Sequence, residues 1–194
     1  MMIAIVLILL VLSIVLSIQL KEGFDLGKVF FFTNVLLQEE YQTILKECAL
    51  LKPYLKEETS PNVKRKTIVL ESPTPLHTIF YGDNFLTYLY TLLGFRVKPS
   101  CNLPIEFRMY ENGGKMDWHR DSVHNNQPQI EIVFTLENTS DSKTLWRDED
   151  AHETHEIVTQ PNSILITQGN GAFHKVTPVT TGYRSIIKIA YDIA

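Results

Sequence analysis

The sequence predicts a mainly β domain with flanking α-helices, built as a jelly roll and preceded by an apolar N-terminal segment. Three observations lead there. Short strand-like runs crowd the second half of the chain, at 105–110, 130–136, 163–168 and 185–191. Gly, Pro and Asn punctuate them, the pattern of a sandwich or barrel. Two helix-period patterns come before the strands, so the helices are expected to pack on one face of the sheet.

The first element is the run Met1 to Leu20, which has no charged residue and is broken only by Ser13, Ser17 and Gln19. As a helix, 20 residues reach about 30 Å, the hydrocarbon thickness of a bilayer. No Lys or Arg precedes the run and no small-x-small cleavage pattern follows it. A signal peptide would have both, so an uncleaved transmembrane anchor over 1–20 is expected, with one domain over 21–194. Lys21 and Lys28 follow the span. Read literally, they place the domain in the cytoplasm, but acidic neighbours dilute that signal. Asn138-Thr139-Ser140 is a glycosylation sequon, usable only in a lumenal domain.

Residues 21–33 read as a short approach strand around Lys28-Val-Phe-Phe-Phe. Thr33 or Asn34 is the expected cap of a helix reaching about Leu55. Leu37, Tyr41, Ile44, Leu45, Cys48 and Leu51 form its apolar face at spacings of three and four, and Pro53 disturbs its last turn. Residues 57–66 are charged and read as a loop. Asp83 is the expected cap of a second helix, with Phe85, Leu86, Leu89, Leu92 and Leu93 on its apolar face and Gly94 at its end. In the strand region Ile105, Phe107 and Met109 alternate with Glu106, Arg108 and Tyr110, and Ile130, Ile132, Phe134 and Leu136 with Glu131, Val133 and Thr135. The polar stretch 138–156 reads as a loop.

Composition narrows the function classes. At 44% hydrophobic and 21% charged, with net charge −4, the chain is not disordered, collagen-like or multi-span. A pI near 5.9 argues against a nucleic-acid binder that relies on a basic surface. Cys48 and Cys101 are too few for a disulfide scaffold or a four-cysteine zinc site, and leave open one bridge or two thiols.

Two segments carry chemistry: Tyr110-Glu-Asn-Gly-Gly-Lys-Met-Asp-Trp-His119-Arg-Asp121, and His174-Lys-Val-Thr-Pro-Val-Thr-Thr-Gly-Tyr-Arg184. On a strand, His119 and Asp121 project from the same face. With a distant His174 they make two imidazoles and one carboxylate for one metal, leaving positions open, the facial arrangement of non-haem Fe(II) oxygenases. Arg184 could grip a remote carboxylate bidentately. Tyr110 could help anchor the far end of a dicarboxylate.

Taken together, Tyr110, Gly113-Gly114, His119-x-Asp121, His174 with Val-Thr-Pro-Val, and Gly182-Tyr-Arg184 resemble the Fe(II)- and 2-oxoglutarate-dependent dioxygenases, in the prolyl 4-hydroxylase and lysyl hydroxylase branch. The resemblance covers about residues 100–194. It implies a double-stranded β-helix, with His119, Asp121 and His174 as Fe(II) ligands. Arg184 and Tyr110 would bind the distal carboxylate of 2-oxoglutarate, and Thr135 would line the cosubstrate pocket. It also implies O₂ as oxidant, ascorbate as reductant, succinate and CO₂ as coproducts, and a protein or peptide substrate hydroxylated on proline. An endoplasmic-reticulum-type membrane with a lumenal catalytic domain is implied in the same way.

There are departures. Prolyl 4-hydroxylases usually carry Lys where this chain has Arg184, which lysyl hydroxylases and the oxygen-sensing prolyl hydroxylases share, and Ser142-Lys-Thr-Leu-Trp146 replaces the usual mid-domain Gly-Gly-Glu type of segment. Lysyl hydroxylation, nucleic-acid demethylation and a non-catalytic metal-binding jelly roll are the alternatives. His152 and His155 read as solvated loop residues, His124 as a loop histidine and Trp118 as core. Trp146 reads as an aromatic in the polar loop that could grip a peptide, and Asp148-Glu149-Asp150 as a charged loop.

Overall fold

The computed structural model describes residues 28–71, 73–123, 128–147 and 153–194. The expected anchor at 1–20 lies outside the described residues, as do His124, His152 and Asp148-Glu149-Asp150. Among the described residues no helix is long and apolar enough to cross a membrane.

The chain opens with β1 (Phe30–Thr33), the core of the expected approach strand. Helix α1 (Gln38–Leu51) begins later than expected. Asn34 has φ 55°, left-handed, and turns the chain instead of capping it. The Leu37 N–H donates to Glu40 Oε2 at 3.2 Å, which satisfies a first-turn donor. Pro53 falls in the 3₁₀ turn Lys52–Tyr54 that ends the helix.

The expected loop at 57–66 is a hairpin of β2 (Lys56–Thr59) and β3 (Val63–Leu70). Its charges are cross-strand partners: Glu57 faces Lys66 and Glu58 faces Arg65, whose Nε donates to Glu58 Oε2 at 2.7 Å. Opposite charges directly across a strand pair favour the ladder. A short helix not foreseen in the sequence, α2 (Pro75–Phe80), follows. Helix α3 (Asp83–Leu93) is capped at Gly82, with Asp83 in its first turn, and ends at Gly94 with φ 77°.

The remaining elements are β4 (Val97–Pro99), β5 (Ile105–Tyr110), β6 (Lys115–His119), β7 (Gln129–Asn138), β8 (Thr144–Arg147), β9 (His155–Ile157), β10 (Ser163–Gln168), β11 (Phe173–Val176) and β12 (Arg184–Ile193). The polar stretch 138–156 is therefore not a continuous loop. It holds β8 and β9, whose residues 144–146 pair antiparallel with 155–157.

The strands run in the order β1-β10-β7-β12-β5-β3-β6-β11-β8-β9, and every pairing is antiparallel. Strand β3 turns the sheet: Lys66–Leu70 pair with β5, whereas Val63 and Lys64 pair with β6. This curled antiparallel sheet with few helices is jelly-roll-like, as the sequence predicts.

Strand alternation sorts the two faces. Ile130, Ile132, Phe134, Ile187, Ile189, Tyr191, Ile105 and Phe107 form one core with Ile44, Cys48, Phe80 and Leu89 of the helices. Glu131, Val133, Arg184, Ile186, Lys188, Arg108 and Tyr110 line a cavity instead. The helices thus seal one face of the large sheet and leave the other for chemistry. Cys48 is buried and Cys101 exposed, and both thiols are free. Burial pushes the Cys48 thiol up to about 12.

Candidate metal and carboxylate site

The glycines of the motif have a backbone role. Gly113 has φ 74°, and its N–H donates to Val179 O at 2.8 Å, while the Val179 N–H donates to Gly114 O at 2.9 Å. This ties the β5–β6 turn to the segment after His174. Gly182 has φ 69°, and a Cβ there would collide with the Thr139 carbonyl, so only glycine lets the chain enter β12 at Arg184.

Strand β6 ends at His119, which stands in register opposite His174 on β11. Asp121 lies just beyond the strand. Asn170 N–H donates to its carbonyl at 2.7 Å, and Thr167 Oγ1 donates to its Oδ2 at 3.2 Å. Nitrogen or oxygen donors of His119, Asp121 and His174 all lie within 4.8 Å of one another. Asp121 Oδ2 is 3.3 Å from His174 Nε2, and Oδ1 is 3.9 Å from His119 Nε2.

The Nδ1 atoms sit 2.9 Å from Asp117 O and 3.2 Å from Ala172 O. A carbonyl only accepts, so each Nδ1 carries a proton and each Nε2 is the ring nitrogen turned toward Asp121. Burial, then the neighbouring His174, lowers the His119 pKa to about 4. Burial alone would raise the Asp121 carboxyl, but His174 and Lys188 outweigh it and hold it below the usual range. At neutral pH His119 is therefore a neutral imidazole that need not shed a proton to bind a cation beside the Asp121 carboxylate. This donor set suits a non-haem Fe(II) centre.

A pH prediction follows for the metal-free protein. The His119 pKa is near 6.5 unfolded and about 4 folded, so between those values the unfolded chain binds more protons. His119 therefore favours the fold fully above about pH 6.5, and loses up to about 3 kcal/mol of that as pH falls to about 4. Denaturant unfolding across this window is expected to show that loss in the wild type and a flatter profile in His119→Asn.

At the other sequence-predicted position, Arg184 is 1% exposed. Its Nη1 donates to Thr144 Oγ1 at 2.8 Å, and its Nε has no hydrogen-bond partner. No described carboxylate forms an ion pair with it. Burial lowers its pKa to about 10, which still leaves it cationic at neutral pH. A buried cation without an anion is costly, so this guanidinium fits a carboxylate that arrives with a ligand. Tyr110 faces Arg184 in register across β5 and β12, lines the same cavity, and accepts from Arg65 Nη1 at 3.3 Å.

Thr135 shares the face of Glu131 and Val133 on β7 and pairs with Ile186 of β12. It is fully buried, its Oγ1 has no partner, and the cavity lining reaches only Glu131 and Val133 of β7. The register shift between Ser185 and Ile186 separates it from Arg184. Thr144 of β8, not foreseen, is the threonine beside the guanidinium.

Two charged groups in the cavity were also missed. Lys188 Nζ lies 2.6 Å from Glu131 Oε2 and 3.8 Å from Asp121 Oδ1. Burial and the nearby Asp121 raise the Glu131 pKa. The signal was the alternation itself: 131 and 133 share a face, as do 184, 186 and 188, and both strands are covered on both sides. Trp118 is not core. It lies half-buried on the outward face with Arg147 and Lys175 over its ring. His155 is not a loop residue: its ring stacks on Trp146 at 5.4 Å, in register with His174. Asn138, the sequon residue, donates through Nδ2 to Thr159 O at 2.8 Å.

No protein-family model matches the sequence, and no curated protein is significantly similar to it. Solved structures do resemble the fold. A prolyl-4-hydroxylase from Pseudomonas putida aligns with TM-score 0.66 at 11% identity, over 86% of this chain and 92% of that one. A prolyl hydroxylase from Trichoplax adhaerens, solved with a hypoxia inducible factor oxygen degradation domain peptide fragment, aligns with TM-score 0.67 at 12% identity, over 85% and 83%. The non-haem α-ketoglutarate-dependent epimerase SnoN of nogalamycin biosynthesis aligns with TM-score 0.74 at 10% identity, over 94% and 82%. The chain has the fold of the 2-oxoglutarate- and Fe(II)-dependent oxygenases.

Proposed function

We propose that the protein is an Fe(II)- and 2-oxoglutarate-dependent dioxygenase that hydroxylates proline in a protein or peptide substrate. The observation that carries the cosubstrate assignment is Arg184: a cation buried to 1% exposure, with a free Nε, in a cavity that also holds the His119–Asp121–His174 donors. A dicarboxylate that chelates a metal at one end needs this pair of features.

In this reading, His119 and His174 each offer Nε2 and Asp121 offers a carboxylate oxygen. Arg184, with Thr144 and Tyr110 beside it, binds the distal carboxylate of 2-oxoglutarate. Lys188, held by Glu131, keeps Asp121 charged and oriented. Val133, Leu165, Val176 and Ile186 give the cavity an apolar wall that limits water. The bound Fe(II), with 2-oxoglutarate and O₂, supplies the oxidising power that converts a C–H bond to C–OH with release of succinate and CO₂, and ascorbate keeps the iron reduced. The protein contributes position and shielding.

Proline as target is supported by the prolyl hydroxylase neighbours, one of them solved with a peptide. The epimerase neighbour shows that the fold also carries other α-ketoglutarate-dependent reactions. A lumenal orientation behind a 1–20 anchor belongs to the same proposal; the anchor rests on the sequence and the lumenal side on the family resemblance.

The test uses the full chain purified anaerobically, given Fe(II), ascorbate, 2-oxoglutarate and O₂ with proline-rich, collagen-like and lysine-containing peptides. Succinate with one oxygen added on proline is the expected result. The same gain on lysine would move the assignment to lysyl hydroxylation. Succinate without any peptide product would keep the oxygenase and discard the peptide. No succinate would leave a metal-binding jelly roll.

A further inference from the structure

We infer that the outward rim of β6, β8 and β11 is a docking surface for an acidic stretch of the peptide substrate, with Arg147 and Lys175 as its cationic contacts. The inference rests on the peptide reading above.

Five side chains alternate on this face. The Arg120 guanidinium lies 4.1 Å from the Phe173 ring centroid, and Arg147 lies 5.6 Å from Phe173 and 4.8 Å from Trp118. Lys175 Nζ lies 5.0 Å from Trp118. Cations over aromatic faces keep their N–H groups available at the edge, and the rings limit their freedom. Neither Arg147 nor Lys175 forms an ion pair with a described carboxylate. Two described acids of β6 and β9 pair with lysines instead: Asp117 with Lys115 at 3.1 Å and Glu156 with Lys143 at 2.5 Å. Arg147 and Lys175 thus present two cations on aromatic rings, neither paired with a described carboxylate.

The place of the patch ties it to the site. Trp118 and Phe173 directly precede His119 and His174, so they occupy the reverse face of the strands that carry those donors. Phe173 pairs with Arg147 in register, one step from the His174–His119 pair. β6 and β8 end here and β11 begins here, so the ladder stands at the same end of the strands as the metal donors. An extended peptide advances about 3.3 Å per residue, so a few residues on either side of the target reach from the cavity over the rim. Alternate acidic residues in such a peptide, about 6.6 Å apart, can meet neighbouring cations. Nucleic-acid binding draws its affinity from many phosphate contacts at once, and two cations on an acidic chain offer few.

The test is fluorescence anisotropy on the full chain at low salt, with three labelled probes. One is a peptide with a single proline flanked by Asp and Glu, one is its Asn/Gln counterpart, and one is a single-stranded oligonucleotide. Two exposed ion pairs, each at most about fivefold in affinity, predict that the acidic peptide binds roughly tenfold more tightly than the neutral one, with the advantage lost at high salt. The pair Arg147→Gln and Lys175→Gln keeps apolar stems near the rings and is expected to lose the preference. Arg147→Glu with Lys175→Glu is expected to reverse it toward a Lys-flanked peptide. Equal affinity of the wild type for acidic and neutral peptides would overturn the inference. So would an oligonucleotide that binds more tightly than the acidic peptide and is lost in the same variants. Binding is read without turnover, so a chain that forms no succinate fails the dioxygenase reading on a separate measurement.

Discussion

Asp121→Ala is expected to abolish succinate formation and to weaken Mn(II) or Fe(II) binding by more than about a hundredfold. Loss of a group that merely orients a ligand costs about 10–100-fold in metal affinity, and Asp121 is the carboxylate of the donor set itself. The geometry adds a second penalty. Asp121 is the common neighbour of His174 Nε2 at 3.3 Å, His119 Nε2 at 3.9 Å and Lys188 Nζ at 3.8 Å. Without it, the two imidazoles and the ammonium share the site with Glu131 as the remaining carboxylate in contact with Lys188 among the described residues. Metal titration with spectroscopic detection, beside the succinate assay, separates loss of binding from loss of turnover. His119→Ala is expected to behave similarly. If either variant keeps full iron-dependent turnover, the donor assignment is wrong.

Arg184→Met is expected to raise the 2-oxoglutarate requirement about 10–150-fold, the equivalent of about 1.5–3 kcal/mol for a charge-assisted hydrogen-bonded contact. Metal binding should change little, because none of the three donors contacts Arg184. Stability offers an independent readout. The guanidinium is buried with no carboxylate partner among the described residues, so replacing it with an apolar side chain of similar length should leave the ligand-free protein at least as stable as the wild type. A purely structural arginine would give the opposite: lower stability and an unchanged 2-oxoglutarate requirement.

Much of the site was legible because its signals are local. Tyr110, His119, Asp121, His174 and Arg184 stand at fixed spacings, and the glycines before Arg184 and between Tyr110 and His119 are demanded by backbone geometry. The apolar face of α3, its stop at Gly94 and the long strands around 105–110, 130–136 and 185–191 were legible for the same reason: periodicity and left-handed turns are written in neighbouring residues. The hairpin at 56–70 was hidden because cross-strand ion pairs look like a solvated charge run until the partner strand is known. β8 and β9 were hidden because each is only three or four residues long and lies in a polar, charged stretch, with no run long enough to show alternation.

By itself, the sequence pointed to the jelly-roll class and to His119, Asp121, His174 and Arg184 as candidates, since those rest on residue types at short spacings within two stretches of chain. Only the tertiary structure decided which threonine meets Arg184, that Glu131 and Lys188 turn inward against Asp121, and that Trp118 carries cations on the outer rim. Each of those depends on registers between strands distant in sequence. A bulge or a single step of register sends a side chain to a different neighbour, and no local pattern records it.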